Sequence, residues 1–552
     1  MTELASTVRP FLQGTTKRAT DLAKSLQVMH RAGLIPLPRV DHAVHAMLAV
    51  RQYGPFAGAT KHAAHQNKDA VALIDERGPM TFTELDEQSN ALARAWSSEG
   101  LGVGSVVAAL CRDHRGLVLT MLAAGKTGSR LVMMNTGFAK PQLADVAKRE
   151  GVRALVYDSE FTGLLEAIPA EIPRYLSWVD DEHSVDPGIP RVDDMIAANS
   201  TADFPAPAKP GGFVLLTSGT TGTPKGAPRE STSVFATAQF LDRIPLRAGG
   251  VTYMAAPIFH GTGLSQFVLS FALGCTVVMN RRFDPEKTLR GVADNRADAL
   301  IVVPTMLQRI IDLGPEVLAR YDTSSLRIVF AAGSALSPDL CKRTAEAFGD
   351  VLYNLYGSTE VAVATVATPE DLRRAPGTAG RAPVSCQVAL FDAEGKRVTA
   401  PGEIGRIFVS SGLSFGGYTD GRHKDIIAGM LSSGDMGHFD EDGLLFVDGR
   451  DDDMIVSGGE NVYPLEVENL LADRADVLDV AVIGVPDSDF GHRLRACIVA
   501  APEAARDADE IKTYVKDHLA RYKAPRDVVF VDELPRNATG KLLRPKLKEM
   551  TD

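Results

Sequence analysis

The sequence contains one stretch that decides the fold, Leu215-Leu216-Thr217-Ser218-Gly219-Thr220-Thr221-Gly222-Thr223-Pro224-Lys225-Gly226. Its first residues are apolar and predict a strand, which runs into a loop of glycine and hydroxyl residues with a single lysine. Glycines let backbone N–H groups approach phosphate oxygens, hydroxyls donate hydrogen bonds, and a lysine adds positive charge. The stretch therefore predicts a loop that binds the phosphates of a nucleotide.

This loop differs from the P-loop of kinase-like nucleotide-binding proteins. Pro224 stands where the P-loop needs its second glycine, and Lys225 is followed by Gly226. An ordinary surface loop is the alternative for a cluster of serine, threonine and glycine, but the length of the pattern disfavours it.

Size and composition limit the class of protein. A chain of 552 residues exceeds what one hydrophobic core usually supports, so we expect two or more domains. The 59 basic and 70 acidic residues give a net charge of −11, which argues against a nucleic acid as the main partner. The five cysteines lie far apart, which is typical of reduced thiols in a cytoplasmic protein rather than of a zinc cluster or a disulfide framework. The sequence shows no signal-peptide pattern and no apolar run near the roughly 18 residues of a membrane span, so we expect a soluble protein.

The pattern of short elements predicts an α/β fold. Between about residues 70 and 450, β-branched runs such as Ala154–Tyr157 and Leu300–Val303 alternate with helical patterns such as Pro338–Phe348. That rhythm indicates βαβ units with parallel sheets. The pattern restarts near residue 450, with a helix around Pro464–Leu471 and a strand at Val477–Val485. We therefore predict three parts: an N-terminal extension (1–55), a large domain (56–450) and a small domain (451–552).

The N-terminal extension is basic, with a net charge of +4 over residues 1–55. Leu22, Leu26 and Met29 fall at i, i+4 and i+7, a spacing that predicts an amphipathic helix with these three residues on its apolar face. The pattern favours a helix packed on the main body over a helix that lies on a membrane surface. A peripheral membrane contact of this segment stays open as the alternative.

The loop motif Thr-Ser-Gly-Thr-Thr-Gly-x-Pro-Lys-Gly resembles the signature of the adenylate-forming superfamily of acyl-CoA synthetases, luciferases and peptide-synthetase adenylation domains. Five further segments match that superfamily in order and spacing: Phe259-His260-Gly261-Thr262-Gly263, Ala332-Gly333-Ser334-Ala335-Leu336, Asn354-Leu355-Tyr356-Gly357-Ser358-Thr359-Glu360, Ser433-Gly434-Asp435 with Asp448-Gly449-Arg450, and Pro535-Arg536-Asn537-Ala538-Thr539-Gly540-Lys541. The resemblance implies a large adenylation domain, with parallel-rich βαβ sheets and a β-barrel-like subdomain, followed by a small mobile α+β domain.

The resemblance also implies an activity and its ligands. The chain would be an ATP-dependent acyl-CoA synthetase, which joins a carboxylate to AMP with Mg²⁺ and then transfers the acyl group to coenzyme A. The residues implied to bind ATP are Thr217, Ser218, Gly219, Thr220, Thr221, Gly222, Lys225, Gly333, Ser334, Ala335, Asn354, Tyr356, Gly357, Ser358, Asp435 and Arg450. The implied catalytic residues are His260, Thr359, Glu360 and Lys541.

Aromatic and acidic residues of the motifs have physically sensible roles in such a site. The ring of Tyr356 offers a stacking face to adenine, while Gly333 and Ala335 keep the opposite wall thin. Asp435 resembles the carboxylate that accepts both ribose hydroxyls, and Arg450 resembles the arginine placed against the same sugar.

The resemblance implies a metal site near the phosphates. Glu360 is a hard oxygen ligand suited to Mg²⁺, with help from Thr217, because Mg²⁺ prefers carboxylate and phosphate oxygens. Thr359 would donate a hydrogen bond to the α-phosphate.

The last motif implies that the small domain takes part in the chemistry and moves. Lys541 would neutralise the acyl carboxylate and the α-phosphate while the two groups bond. Asp452 matches the hinge about which the small domain rotates in the superfamily. After that rotation, Ser457, Gly458 and Gly459 would line the channel for the pantetheine arm of coenzyme A.

One position informs the choice of acid. Amino-acid-activating relatives usually carry an aspartate after the phenylalanine of the Phe259 segment, and His260 stands there instead. This disfavours an amino acid and resembles acyl and aryl synthetases. The small residues Gly261, Gly263 and Gly333 leave room for a medium or long aliphatic chain, but they are equally suited to close helix–strand packing. Aromatic and terpenoid or sterol-derived acids stay open.

The sequence bears on three alternative functions. An acyl-AMP ligase that loads a carrier protein usually has an insertion in the large domain, which is not evident here. A luciferase-like oxygenase is disfavoured because the terminal residues Glu549–Asp552 are not Ser-Lys-Leu. A non-catalytic nucleotide-binding regulator would be expected to have lost Lys541 or Glu360. Homodimer formation stays open.

Overall fold

A computed structural model of the chain describes residues 20–35, 40–180, 186–217, 225–229, 237–451, 453–457, 460–487, 491–502, 504–537 and 541–551. The helices of these residues are α1 (20–32), α2 (Val40–Gln66), α3 (Phe82–Ser98), α4 (Arg115–Thr127), α5 (Lys140–Glu150), α6 (Val192–Ala197), α7 (Thr237–Leu241), α8 (Gly261–Ala272), α9 (Pro285–Asp294), α10 (Pro304–Ile311), α11 (Pro315–Leu318), α12 (Pro338–Phe348), α13 (Pro369–Arg374), α14 (Pro464–Ala472), α15 (Ala508–His518) and α16 (Arg544–Thr551), with short 3-10 helices at Ser159–Ala167 and Arg521–Lys523.

The strands of the described residues are β1 (Val71–Asp75), β2 (Gly78–Thr81), β3 (Val106–Leu110), β4 (Arg130–Met133), β5 (Ala154–Asp158), β6 (Arg174–Trp178), β7 (Phe213–Thr217), β8 (Lys225–Arg229), β9 (Val251–Met254), β10 (Thr276–Met279), β11 (Ala299–Val302), β12 (Ile328–Ala332), β13 (Leu352–Tyr356), β14 (Thr365–Ala367), β15 (Cys386–Phe391), β16 (Arg397–Val398), β17 (Gly405–Ser411), β18 (Ile426–Ile427), β19 (Met430–Phe439), β20 (Leu445–Arg450), β21 (Ile455–Ser457), β22 (Glu460–Val462), β23 (Val477–Asp487), β24 (Gly491–Ala500) and β25 (Asp527–Phe530).

Two sheets with mostly parallel strands form the body of the large domain. One has the order β14-β13-β12-β11-β9-β10-β1-β2, and only its two edge pairs, β13/β14 and β1/β2, are antiparallel. The other has the order β6-β5-β3-β4-β7-β8, and only β7 and β8 are antiparallel. Fully buried strands such as β11 and β12 are continuous apolar runs because helices cover both faces of a parallel sheet. The predicted α/β architecture with parallel-rich sheets is confirmed.

Two further sheets complete the described chain. An antiparallel sheet of order β16-β15-β17-β19-β18, with β20 beside β19, follows the parallel sheets. The small C-terminal domain contains the sheet β22-β21-β24-β23, with β25 beside β24, and helices α14, α15 and α16. The hydrophobic clusters around this last sheet contain only residues between Ile455 and Leu547, so the domain has a core of its own.

Local sequence signals set several helix ends. Thr81 caps α3 by accepting from the backbone N–H of Glu84, and the Glu84 carboxylate accepts from the backbone N–H of Thr81. Ser337 caps α12, and Pro338 occupies the first turn, where its missing N–H costs no hydrogen bond. These signals explain why the predicted helix Pro338–Phe348 has the same bounds in the structure.

The predicted helix of the N-terminal extension exists, but its apolar face was wrong. Met29 is fully buried, whereas Leu22 and Leu26 are 46% and 42% exposed. The helix instead buries Ser25, Val28, Met29 and Ala32. A side-chain hydrogen bond from Ser25 to the carbonyl of Asp21 satisfies its hydroxyl, so this polar residue can lie on the buried face.

A helical hairpin follows the first helix. The helix α2 breaks at Gly54, whose φ of +80° is left-handed, and Pro55 begins the second arm. The arms return so closely that a Cβ on Gly58 would lie 2.5 Å from the Cα of Val50. Val28, Met29, Tyr53 and Phe56 belong to the main hydrophobic core, so this part of the extension packs on the large domain. The predicted boundary at residue 55 falls inside the hairpin.

The helices of the described residues include none with both the length and the apolar character needed to cross a membrane. All five cysteines are buried free thiols.

Candidate functional site

A cavity of about 810 Å³ lies between the large domain and the small domain. The loops that follow β9, β12 and β13 line it, and these three strands are parallel in one sheet. Ligands of open α/β sheets bind at the carboxyl ends of parallel strands, where such loops converge. The predicted site residues that line the cavity are Lys225, His260, Gly333, Ser334, Ala335, Asn354, Tyr356, Gly357, Ser358, Thr359, Glu360, Asp435, Arg450 and Lys541.

Asp435 is the centre of a hydrogen-bonded group on one wall. The hydroxyl of Tyr356 donates to Asp435 Oδ2 at 2.6 Å and lies 3.0 Å from Ser433 Oγ. Ser433 Oγ also accepts from the backbone N–H of Asp435 at 3.1 Å, and Arg450 lies 3.5 Å from Asp435 Oδ1. Burial raises the pKa of the Asp435 carboxyl, while Arg450 and Tyr356 oppose that rise. Burial and the neighbouring carboxylate raise the pKa of Tyr356 well above its usual value, so the phenol stays a donor.

Glu360 is held by an aromatic residue that the sequence analysis did not single out. The hydroxyl of Tyr418 donates to Glu360 Oε1 at 2.5 Å, and burial with the nearby Glu360 raises the pKa of Tyr418. Lys225 lies over the ring of Tyr418, with Nζ 5.0 Å from the centroid. Glu360 is only 8% exposed. This carboxylate at the cavity wall is the kind of hard oxygen ligand that Mg²⁺ prefers, so the residue present fits the predicted metal.

His260 is the residue that precedes α8, at the N-cap position of this helix. Its ring contacts Phe259 with centroids 4.4 Å apart, and among the described residues its buried Nε2 has no hydrogen-bond partner. Burial lowers the pKa of His260 to about 4. The side chain is therefore a neutral imidazole near pH 7, with one nitrogen left to a ligand.

Three glycines of the wall differ in what a side chain at their position would meet. A Cβ on Gly263 would lie 2.2 Å from the carbonyl oxygen of Pro257, so Gly263 permits close packing of α8 on the preceding loop. A Cβ on Gly261 would meet nothing nearer than Leu215 Cδ1 at 4.0 Å. Gly333 has a φ of +103° and faces Thr262 across the cavity wall. Of these three glycines, Gly261 alone has neither a close neighbour nor a positive φ that would explain the absence of a side chain, so it leaves space for a ligand.

The small domain contributes a lysine and an arginine to the cavity. Lys541 is exposed, and its backbone N–H donates to Asn537 Oδ1 at 2.9 Å. Arg544, one turn further along, pairs with Asp453 at 3.2 Å and with Glu468 at 3.1 Å. Burial acts to lower the pKa of Arg544, but Glu468 and Asp453 outweigh it and raise the pKa. These pairs tie the start of α16 to α14 and to the segment just after the predicted hinge.

Some predicted residues are not placed at the cavity. Ser218, Gly219, Thr220, Thr221, Gly222, Asp452, Gly458 and Gly459 lie outside the described residues. Thr217 is the last residue of β7, and its side chain lies outside the described part of the structure. Ser457 is buried in β21 and does not line the cavity. The roles predicted for the hinge and the coenzyme A channel stay predictions.

Several lining residues were missed by sequence reasoning: Pro55, Phe240, Tyr418, Lys424, Glu468 and Arg544. The pair Gly416–Gly417 before Tyr418 is a loop signal that could have drawn attention to this aromatic residue. The others reach the cavity through tertiary contacts and have no local motif.

The charges of the cavity are segregated along it. The described charged side chains of the lining come from the first residue of β8, from the loop after β13, from residues 424–450 and from the small domain. The described lining contributed by α2, β7, α7 and α8 is apolar or hydroxyl-bearing apart from His260. Such a cavity can bind a polyanion through one set of residues and an apolar tail through the other, with His260 at the start of the helix that contributes to the apolar set.

Comparison with known proteins agrees with this geometry. Residues 60–419 match the family model described as AMP-binding enzyme, and residues 466–541 match the model described as AMP-binding enzyme C-terminal domain.

Two curated relatives and one solved structure illustrate the similarity. The chain is 29% identical over 500 residues to a fatty acid–[acyl-carrier-protein] ligase of Streptomyces coeruleorubidus, covering 88% of this chain and 94% of the relative. It is 32% identical to a 3-[(3aS,4S,7aS)-7a-methyl-1,5-dioxo-octahydro-1H-inden-4-yl]propanoyl:CoA ligase of Rhodococcus jostii, covering 89% and 98%. The structure of o-succinylbenzoate CoA synthetase from Bacillus subtilis, in complex with its acyl-adenylate intermediate, superposes with a TM-score of 0.76 at 27% identity, covering 89% and 97%.

Proposed function

Because this chain belongs to the family of AMP-binding enzymes, we propose that it is an ATP-dependent acyl-CoA synthetase that acts on medium- or long-chain fatty acids. The reaction converts a carboxylate, ATP and coenzyme A to acyl-CoA, AMP and pyrophosphate through an acyl adenylate. The observation that carries the proposal is the position of Lys541, which lines the same cavity as Glu360, Asp435 and Arg450 although it comes from the other domain.

The position of Lys541 suits the first half-reaction. A carboxylate oxygen attacks the α-phosphorus of ATP and forms a new oxygen–phosphorus bond. The bond from that phosphorus to pyrophosphate breaks, and pyrophosphate leaves. Two anions approach each other in this step, and a cation between them offsets their repulsion. Lys541 supplies that cation from the small domain, and Thr359 donates to the α-phosphate.

Other residues bind and orient the nucleotide. Asp435, held by Tyr356 and Arg450, accepts hydrogen bonds from the ribose hydroxyls. Glu360, with Thr217, would hold Mg²⁺, which neutralises phosphate charge when bound. Neutral His260 lies at the start of the apolar end, where its Nε2 can donate to the acyl carboxylate and fix its orientation.

The second half-reaction needs a different access to the acyl carbonyl. The thiolate of coenzyme A attacks this carbonyl, the thioester bond forms, and AMP leaves with the electrons of the acyl–oxygen bond. We propose that the small domain turns about Asp452, withdraws Lys541 and brings Ser457, Gly458 and Gly459 to the cavity.

The apolar end of the cavity favours a hydrophobic acid. The relative from Streptomyces coeruleorubidus is named for a fatty acid, which agrees with a chain-shaped substrate here. The relatives named for a bicyclic propanoyl group and for o-succinylbenzoate keep ring-containing acids, aryl or sterol-derived, as the alternative substrate class.

One relative supports a second candidate function. The Streptomyces coeruleorubidus protein is named as a ligase for an acyl carrier protein. Transfer to a carrier-protein thiol instead of coenzyme A uses the same acyl adenylate, and only the acceptor differs.

A panel of carboxylates assayed for pyrophosphate release, with and without coenzyme A, tests the proposal. We expect release with fatty acids and formation of acyl-CoA when coenzyme A is present. Release that is stimulated by a carrier protein but not by coenzyme A would establish the second candidate. Release with amino acids alone would contradict the interpretation of His260, and no release with any acid would contradict the enzyme itself.

A further inference from the structure

The apolar end of the cavity follows one face of α8 for its whole length. Gly261, Ser265, Val268 and Ala272 all line the cavity, and their spacing of four, three and four residues is the repeat of one helix face. From Gly261 to Ala272 the helix rises about 16 Å, at 1.5 Å per residue. His260 is at the start of this face, so Ala272 marks a point far from the proposed reacting carboxylate.

The strand β7 gives a second landmark along the cavity. Its last residue, Thr217, begins the predicted phosphate loop, and its first residue, Phe213, also lines the cavity. The two residues are about 13 Å apart at 3.3 Å per strand residue. Phe213 and the end of α8 therefore both lie at the end of the cavity away from the phosphate loop.

The hairpin α2 contacts both Phe213 and α8. It packs against α8, and the ring of Phe56 contacts the ring of Phe213 with centroids 5.1 Å apart. Pro55, at the turn of the hairpin, lines the cavity itself. The turn is thus placed where an apolar tail that starts at His260 would end.

The turn is fixed on both sides by contacts with the large domain. The hydroxyl of Tyr53 donates to the carbonyl oxygen of Phe204 at 3.3 Å. On α4, a Cβ on Gly125 would lie 2.9 Å from Ala57 Cβ and from the carbonyl oxygen of Tyr53, so the two helices touch at this glycine. A turn held between two such contacts is a wall rather than a loose loop.

We propose that the hairpin turn at Gly54–Pro55 is the end wall of the acyl site and sets the length of tail that the enzyme accepts. This inference rests on the proposed function. The wall lies upstream of the family match, which begins at residue 60. An extended alkyl chain advances about 1.3 Å per carbon, from a C–C bond near 1.5 Å. The wall therefore admits about 12 or 13 carbons along α8, and longer tails fit poorly.

The first test shortens the site from the wall. Pro55→Phe adds a side chain at the turn, and each methylene that loses its buried place costs about a factor of four in affinity. With saturated acids from hexanoate to octadecanoate, we expect kcat/KM of the unmodified protein to peak near dodecanoate or tetradecanoate. In Pro55→Phe the value for tetradecanoate falls about tenfold or more, while that for octanoate changes less than about threefold. Met47→Phe is the matched control, because Met47 is on the same hairpin and 53% exposed.

A second variant approaches the same end from α8. Ala272→Phe should shift the preferred length in the same direction as Pro55→Phe. Thermal melting of all three variants shows whether each is folded, and a misfolded Pro55→Phe leaves Ala272→Phe and the opposite change, Pro55→Ala, as tests. Pro55→Ala should move the optimum toward longer acids.

Binding of the same acids, measured by titration calorimetry on the full chain, separates the two proposals. If pyrophosphate is never released but the length dependence of binding shifts in Pro55→Phe, the proposed end wall is supported and the proposed reaction is contradicted. If the protein is active and folded variants at both positions keep the unmodified length profile, the wall is overturned.

Discussion

The hydroxyl of Tyr356 and the carboxylate of Asp435 join two sheets at one wall of the cavity, through a hydrogen bond of 2.6 Å. Tyr356 ends the parallel strand β13, and Asp435 lies on β19 of the antiparallel sheet. The register of β19 and β20 places Arg450 opposite Asp435, so the carboxylate is approached from two sides. The group that is proposed to bind ribose is therefore oriented before any ligand arrives.

Removal of this hydroxyl should weaken ATP binding. In Tyr356→Phe the buried Asp435 loses a donor, and a hydrogen bond to a charged group contributes about 1.5–3 kcal/mol. Part of this loss appears in ligand affinity, so we expect the Kd for ATP, measured by calorimetry, to rise about tenfold. Tyr353→Phe, on the same strand but outside the cavity lining, should leave it unchanged. Equal affinity in both variants would show that Tyr356 does not orient Asp435.

Glu360→Gln should impair adenylation in a metal-dependent way. The amide keeps an acceptor for Tyr418 and the shape of the side chain but removes the negative charge that would hold Mg²⁺. We expect the rate of pyrophosphate release to fall at least about 100-fold, the scale seen when one electrostatic group is removed from an active site. A titration with Mg²⁺ should show a higher half-saturating concentration. Glu346→Gln, at an exposed position on α12, is the control; an unchanged Mg²⁺ dependence in Glu360→Gln would remove Glu360 from the metal site.

Lys541→Ala should separate the two half-reactions. Acyl-adenylate formation should fall at least about 100-fold, because the cation between two anions is lost. Thioester formation from a supplied acyl adenylate should retain much of its rate, since Lys541 is proposed to leave the cavity for that step. Lys546→Ala, exposed on the same tail, serves as the control. Equal loss of both half-reactions would contradict this division of labour.

The buried histidine of the site should make the protein less stable in acid. The folded-state pKa of His260 is about 4, below its ordinary value of 6.5, so between these two values the unfolded chain binds more protons. Stability therefore falls as the pH drops from 6.5 toward 4. The loss of melting temperature between pH 6.5 and 4.5 should be smaller in His260→Gln than in the unmodified protein.

A second histidine provides the control for this measurement. The hydrogen bond from His438 to Asp448 raises the pKa of His438, so its stabilising effect is fully present below pH 6.5 and is lost only at higher pH. His438→Gln should leave the slope between pH 6.5 and 4.5 as it was. If His260→Gln also leaves it unchanged, the imidazole of His260 is not kept neutral by burial.

Sequence reasoning succeeded where local signals were strong. The helix Pro338–Phe348 has a serine cap and a proline in its first turn, and β5 and β11 are apolar runs, so these elements were placed within a residue or two of their bounds. Some motif residues that line the cavity directly follow strand ends, as Gly333 follows β12 and Gly357 follows β13.

It failed where tertiary packing decides. The spacing of Leu22, Leu26 and Met29 suits a helix face, yet the surface beneath α1 selects a face rotated toward Val28 and Ala32. The sequence predicted that the N-terminal extension ends at residue 55, but the chain folds back at Gly54 and Pro55 and continues as the second arm of the hairpin. Tyr418 and Arg544 act through partners, Glu360 and Glu468, that lie 58 and 76 positions away in the chain, and no local pattern reveals such pairs.

Tyr418 keeps two opposite charges of the cavity wall apart before a ligand binds. Its face holds the ammonium of Lys225 and its hydroxyl holds the carboxylate of Glu360. Two flexible side chains of opposite sign at one wall would otherwise collapse onto each other, and an arriving ligand would have to break that pair first. Because Tyr418 contacts both side chains, the carboxylate of Glu360 stays available to a cation and the ammonium of Lys225 stays available to an anionic ligand.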